Sequence, residues 1–434
     1  MQEYKIKIAL ITIAFMLFID MYAWHGVKHI LEKKGKQVTY WGRIIWWSIP
    51  IILITLFTIG YLFIELETNG KYRVYIAASI FIIYLSKFTL LLFVLVDDFR
   101  RAFLWIKKII NSNTSSNEND DPETTTETVS VSKKISRSQF LAQAGTLTAA
   151  APLILLTKGV FKGGYDYRIH HVPLYLKNLP SAFEGIKIAQ LSDIHTGSLL
   201  DQDAVKKGMD MMMAEKPDVI FFTGDLVNNE TKEAYNYANM FSELKAPMGI
   251  FSIYGNHDYG DYISWETKAA KQKNLDDLAK LHFDMGWHLM RNEHLTLDKG
   301  GQRLGLIGVE NWGNKGRFQK FGDIEQAVKN MPDVPVKLLL SHDPSHFDDI
   351  VSIKHPDIDV TFSGHTHGMQ FGFEFGKIKW SPSQYIYPHW AGLYEVNGSR
   401  LYVNRGFGFL GYPGRVGIMP EITIFELKKF GKLS

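Results

Sequence analysis

Apolar and polar positions divide this chain into two regimes. In the first third, apolar residues run almost unbroken through Ile6–Trp24, Ile44–Ile64 and Tyr75–Val96. Each run is near the roughly 20 residues that a helix needs to span the hydrocarbon of a bilayer. Tyr22, Trp24, Trp41, Trp46 and Trp47 sit near the run ends, where an aromatic belt meets the headgroups. These runs leave no polar faces to solvate, which argues against helices of a water-soluble domain. A weaker fourth run, Phe140–Thr157, is short and rich in small residues. We read it as a non-cleaved fourth span, with a helix docked on the following domain as the alternative. The preceding "ISRSQFLAQAG" resembles a twin-arginine signal in which Ser138 replaces the second arginine. The predicted organisation is three spans over 1–110, a flexible polar linker over 111–138, the fourth span over 139–160 and a separate domain over 164–434.

Beyond Gly164 the period changes. Strand-like apolar runs alternate with amphipathic helical stretches predicted at Asp203–Glu215, Thr231–Leu244, Leu275–Met285 and Ser345–Ile353. Residues 373–427 read as several strands with glycine turns. Alternation of this kind predicts an α/β fold with a buried sheet. Most of the strands close on a polar residue able to bind metal or move protons: Asp193, Asp225, Asn256 with His257, His342 and His365. In α/β sheets, sites form beyond the carboxyl ends of strands, so these residues are expected on one rim.

Composition narrows the chemistry. The 434 residues carry a net charge of only +3, with no dense basic stripe, so a nucleic-acid duplex is not an expected partner. The absence of cysteine excludes disulfides, thiolate zinc sites and a cysteine nucleophile. Basic residues cluster after the first run (Lys28, Lys33, Lys34, Lys36, Arg43) and after the third (Arg100, Arg101, Lys107, Lys108, Lys133, Lys134, Arg137). The positive-inside bias makes both segments cytoplasmic, and a fourth span then carries the C-terminal domain to the extracytoplasmic side of the cell (inner) membrane. Asp20 is read as the main carboxylate within the spans, near the end of one of them.

The chemistry-bearing strings are "LSDIHTG", "FFTGDLVN", "YGNHDYG", "LLLSHDP" and "SGHTHG". Any one of them is a common loop sequence; all five in order, each closing a β-run, are not. Asp193 and His195, two apart on extended chain, would point the same way and face one ion. Carboxylate, amide oxygen and imidazole without thiolate suit Mn, Fe or Zn rather than softer ions. The set resembles the calcineurin-like metallophosphoesterase superfamily, in particular its membrane-associated bacterial YkuE-like branch, and is similar to the UDP-2,3-diacylglucosamine hydrolases. The resemblance covers residues 186–427 and implies a four-layer α/β/β/α sandwich holding two divalent metal ions. It implies Asp193, His195 and His367 on one ion, Asn256, His342 and His365 on the other, and Asp225 between them. It also implies His257 as the catalytic acid, with Asp258 orienting it, and hydrolysis of a phosphomono- or diester by hydroxide held on the metals. The substrate expected is membrane-associated, a lipid-linked diphosphate being one candidate. A broad phosphodiesterase on soluble nucleotides and a non-catalytic metal-binding scaffold are the alternatives.

Two departures from the family pattern stand out. Asn228 occupies the position where purple acid phosphatases carry tyrosine, which argues against a ferric–tyrosinate site. Met369 stands where a second glycine usually follows the last histidine. In "NRGFGFLGYPGRVG", Arg405 and Arg415 are candidates for binding a phosphate oxygen. Phe407, Phe409, Leu410 and Tyr412 in the same loop are candidates for touching lipid.

Overall fold

The computed structural model describes residues 2–60, 70–114, 137–315, 318–376 and 378–430. The chain divides into two compact units, Met1–Thr157 and Lys158–Ser434. Most of the stretch read as a linker, 115–136, lies outside the described residues.

The first unit is built from α1 (Gln2–Glu32), α2 (Lys36–Thr58), α3 (Gly70–Thr114) and α4 (Arg137–Phe161) up to Thr157; the last turn of α4, from Lys158, belongs to the second unit. All four are long and apolar enough to cross a membrane. Helices α1 and α3 run well past their apolar stretches, and α3 takes in residues 111–114 of the predicted linker. Polarity is inverted relative to a water-soluble bundle: Leu10, Ile11, Ile51 and Leu92 are exposed, while Asp20 and Lys87 are buried. In lipid that inversion is the stable arrangement. Lys87 lies inside the third apolar run and pairs with Asp20. Tyr84 Oη donates to the other Asp20 oxygen at 2.6 Å, and the ammonium lies 4.9 Å from the Trp46 ring centre. Asp20 is therefore not near the end of a span: α1 continues for three more turns beyond it, to Glu32. Ser138, at the start of α4, donates to Asp97 of α3 at 3.1 Å, and Arg100 and Arg101 pair with the same carboxylate.

In the second unit, two six-stranded sheets stack face to face. The first sheet is ordered β1 (Arg168–Leu176), β14 (Glu421–Lys429), β2 (Lys187–Leu191), β3 (Val219–Phe222), β4 (Ile250–Ser252), β5 (His288–Leu289). The second is ordered β12 (Gly392–Val396), β13 (Ser399–Val403), β9 (Val360–Ser363), β8 (Lys337–Leu340), β7 (Gln302–Gly308), β6 (Glu293–Lys299). A two-stranded hairpin, β10 (Phe373–Phe375) and β11 (Ile378–Trp380), stands apart from both. Strand β8 shows why the central strands read as unbroken apolar runs. Leu338 and Leu340 join the core between the sheets, with Phe221, Phe362 and Phe425, while Leu339 packs outward against Phe347 and Val351. Both faces are buried, so every position is apolar. Helices cover the outer face of each sheet, completing the expected four layers. Those on the first sheet are α5 (Gln202–Ala214), α6 (Tyr235–Ser242) and α7 (Lys268–Asp284).

Local differences from the sequence reading have local causes. Helix α7 begins seven residues before Leu275, because the Thr267 side chain caps it at 3.0 Å from the Ala270 amide. Two i,i+4 Lys–Asp pairs then support its polar face. The stretch expected as a helix over 231–244 opens with a tight turn at Thr231–Glu233 before α6. The stretch 345–353 passes through a π-helical segment at Phe347–Val351.

Candidate metal centre

The carboxyl ends of β2, β3, β4, β8 and β9 converge, and the loops that follow them carry every predicted ligand. The backbone there is unusual. Asp193, His195, Asp225, His365 and His367 all adopt positive φ, between 49° and 72°. Non-glycine residues avoid this left-handed region, and its recurrence in one site marks strain held by the surrounding structure. It also corrects the extended-chain argument for Asp193 and His195. The strand ends at Leu191, and two left-handed residues, not strand alternation, aim both side chains into the site.

Two groups of potential ligand atoms form. Asp193, His195 and His367 make one; Asp225, His342 and His365 make the other. In the first, His367 Nε2 stands 3.3 Å from Asp193 Oδ1, and the His195 and His367 rings stack at 5.0 Å. In the second, His365 Nδ1 is 2.8 Å from Asn256 Oδ1 and 3.3 Å from His342 Nε2. Asp225 Oδ2 lies between the groups, 3.5 Å from His195 Nε2 and 3.2 Å from His342 Nε2. Its other oxygen accepts the His257 amide at 2.8 Å.

Whether these residues fit a cation can be judged from their outer contacts. His195 Nδ1 faces Asn228 Oδ1 at 3.1 Å, and His342 Nδ1 faces the Thr223 carbonyl at 2.6 Å. Both contacts require Nδ1 to donate, which leaves Nε2 as the atom aimed into the site, able to hold an ion once it carries no proton. His195 Nε2 and His367 Nε2 are buried without any hydrogen-bond partner. At His195 a buried lone pair faces the Asp225 carboxylate, and the two repel unless a positive charge lies between them. At His367 the Arg415 guanidinium donates to Nδ1, so Nε2 carries the proton of the neutral ring and gives it up when it holds an ion. Electrostatics agrees. Burial lowers His195 to about 3. Burial also opposes a charge on His342, but Asp225 and then Asp193 push it up to about 10. Burial alone would raise Asp225, yet His342 and His257 hold it well below the carboxylate range. This donor set fits two divalent ions.

His257 lies at the rim. Its Nδ1 donates to the Asn228 carbonyl at 2.8 Å, its ring packs against Tyr262 with centres 4.4 Å apart, and it stands edge-on to His195 at 4.9 Å. Asp258 does not orient it. Instead, Asp258 Oδ2 accepts the Asp225 and Gly255 amides at 2.8 Å, and Oδ1 accepts the Leu226 and Val227 amides at 2.9 and 3.3 Å. Burial raises Asp258 to about 7, with the Asp225 carboxylate adding to the rise; the backbone donors act against it. Its part is to fix the loop that presents Asp225.

The two arginines also lie elsewhere than expected. Arg405 is buried in ion pairs with Glu421 at 2.5 Å and Glu374 at 2.6 Å. Arg415 is fully buried, and its guanidinium meets the Gly406 and Gly408 carbonyls and the outer nitrogen of His367 at 3.0 Å. Neither is free to take a phosphate oxygen. Phe407 and Phe409 are buried too, against Tyr167 and Tyr165 at 4.2 and 5.6 Å, and so cannot touch lipid. Sequence reasoning missed Tyr387, whose hydroxyl is 2.8 Å from His365 Nε2, and the supporting contact of Asn228 with His195.

Comparison with known proteins agrees with this geometry. Residues 186–369 match the calcineurin-like phosphoesterase family, and residues 5–164 match the probable calcineurin-like phosphoesterase transmembrane domain. The uncharacterized metallophosphoesterase YkuE of Bacillus subtilis is 32% identical over 314 residues, 68% of this chain and 99% of that one. The chain belongs to the calcineurin-like phosphoesterases. An uncharacterized metallophosphoesterase of Aquifex aeolicus is 29% identical, covering 62% of this chain and 94% of its own. The Danio rerio transmembrane protein with metallophosphoesterase domain is 26% identical, covering 64% of this chain and 61% of its own. Like other calcineurin-like phosphoesterases, this chain is a hydrolase of the divalent-metal-dependent kind, and it is a membrane protein.

Proposed function

We propose that the protein is a membrane-anchored, dinuclear phosphoesterase that hydrolyses a phosphomono- or diester, with a lipid-linked diphosphate as the substrate class to test first. The observation that carries the reading is the single oxygen, Asp225 Oδ2, set between two histidine-bearing groups. In this reading Asp193, His195 and His367 hold one ion, Asn256, His342 and His365 hold the other, and Asp225 serves both. Two divalent ions so held supply Lewis acidity toward the phosphoryl oxygens and lower the pKa of water.

The chain's own groups do the rest. His257, with Nδ1 committed to the Asn228 carbonyl, offers Nε2 to protonate the leaving oxygen. Asp258 and its four amide donors hold the Asp225 loop rigid, and Tyr387 and Asn228 fix the outer nitrogens of His365 and His195. The positive-inside bias supports a catalytic unit outside the cytoplasm, which reporter fusions after Lys162 test.

The decisive assay uses the full-length protein in detergent with added Mn²⁺, against an aryl monoester, an aryl diester and a lipid-linked diphosphate. His257→Ala should lower turnover by roughly 10²–10⁴-fold, as loss of a general acid does. Asp225→Asn should abolish it. Hydrolysis that both variants retain would overturn the assignment.

A further inference from the structure

The β10–β11 hairpin carries its polarity the wrong way round for a protein surface in water. Direct cross-strand partners share a face, and neighbours along a strand alternate. The pairings Phe373–Trp380 and Phe375–Ile378 therefore make one wholly apolar face, and Glu374–Lys379 makes the other. The charged face is turned toward the protein. Glu374 accepts from the buried Arg405 at 2.6 Å, and Lys379 donates to the Ala391 carbonyl and to Tyr394 Oη. The apolar face is turned out: Phe375 is 83% exposed, Ile378 65% and Phe373 50%. Phe371 and Tyr385, also exposed, lie against Trp380 of the same face. Trp380 stacks on Phe373 at 5.9 Å, and its indole N–H donates to Tyr385 Oη at 3.3 Å.

We propose that this hairpin is a second, non-covalent membrane contact: its apolar face inserts into the lipid surface of the bilayer that anchors the chain. The charged side chains are held from behind, Glu374 by one ion pair with Arg405 and Lys379 by two hydrogen bonds, which leaves the apolar face outward; contiguous patches of this kind mark interaction sites. The chain itself brings that phase near. The last turn of α4, the span that leads into the catalytic unit, is clasped by the loop Tyr412–Val416. A Cβ at Gly159 would lie 2.5 Å from Tyr412 Oη and 2.7 Å from Val416 Cγ2. That same loop hydrogen-bonds to the hairpin's root. The Val416 amide donates to the Gln370 carbonyl at 2.8 Å, and the Gly372 amide donates to the Val416 carbonyl at 2.9 Å. The Gln370 side chain donates to the Tyr412 carbonyl at 2.8 Å. Tether and hairpin are thus one loop apart. Trp380 and Tyr385 supply the ring-plus-donor chemistry favoured at the headgroup level.

The chain has no cysteine, so one label can be placed at will. Full-length Phe375→Cys and Ile378→Cys carry an environment-sensitive fluorophore and are reconstituted into phosphatidylcholine vesicles, with and without nitroxide-labelled phospholipid. Lys299→Cys, on the exposed edge strand β6, is the control. Insertion predicts that nitroxide lipid removes most of the fluorescence at 375 and 378 and leaves that at 299 unchanged. Equal quenching at all three positions overturns the proposal. So does a blue-shifted label at 375 that nitroxide lipid leaves bright, which would place a second copy of the protein on the face. The readout does not involve turnover, so its failure is separate from failure of the phosphoesterase reading.

Discussion

Asn228 offers the sharpest test of how the centre is held. Its side-chain oxygen faces His195 Nδ1 at 3.1 Å, and its amide nitrogen donates to Ser198 Oγ at 3.0 Å. Replacement by alanine removes both contacts. It spares the backbone carbonyl that accepts from His257 and the amide that donates to Glu233. The His195–Asn228 bond is neutral and of ordinary length, so about 1 kcal/mol is lost from it directly. A freed His195 must also be reoriented each time an ion binds. Loss of such outer partners typically weakens metal binding 10- to 100-fold, or about 1.4–2.7 kcal/mol. Isothermal titration of Mn²⁺ into the metal-stripped, full-length protein should resolve two binding steps. Asn228→Ala should weaken one of them by that factor and leave the other nearly unchanged, while turnover at saturating Mn²⁺ stays close to wild type. Asn228→Asp, which keeps an acceptor, should recover most of the affinity. If both steps stay at wild-type strength in the alanine variant, the contact does not prepare His195 for an ion.

Two further outcomes follow from the same loops. Burial would raise Glu421, but Arg405 holds it at about 2, against an ordinary 4.5. A carboxyl depressed in the folded state contributes stability above its unfolded pKa and loses it as pH falls through the folded value. Glu421→Gln should therefore lower stability by about 3 kcal/mol at pH 7, with the gap closing between pH 4.5 and 2, as read by urea unfolding of both proteins. An unchanged gap at pH 3 would contradict the ion-pair account. His367, Gly368, Met369 and Gln370 form a left-handed turn, with Met369 at φ 48°. The left-handed backbone costs a side-chain-bearing residue about 1–2 kcal/mol, partly offset by the extra freedom of glycine when unfolded. Met369→Gly should raise stability by up to about 1 kcal/mol in thermal melts; a lower melting temperature would refute this.

The sequence made the ligands legible because each lies a few residues after its own strand. Asp193, Asp225, Asn256, His342 and His365 could be placed on one rim from strand order alone. What the ligands rest on was not legible, because those contacts are distant along the chain. Asp258 meets amides about 30 residues away, and Arg415 meets His367 across 48 residues. A carboxylate next to the proposed acid histidine reads as its partner until the backbone amides that claim both of its oxygens are seen. Arg405 and Phe407 were misread for a related reason: glycine-rich sequence suggests an open loop, yet the loop is folded into the core, so its long side chains are spent on packing. The outward-facing hairpin was also hidden. Alternation of Phe373, Glu374 and Phe375 says that two faces differ, but not which of them the protein covers. In the membrane region, Lys87 was passed over because one lysine does little to the mean hydropathy of its run.

That lysine bears on how the protein is made. Alone at the centre of a span, a lysine or an aspartate resists insertion by about 2.5–3.5 kcal/mol. Lys87 and Asp20 relieve each other only once α1 and α3 lie side by side in lipid. During synthesis α1 emerges first, and its buried carboxylate waits for about 65 residues of chain before its partner arrives. The pair therefore couples the two helices energetically: the cost of each charge in lipid falls only when the other helix lies beside it.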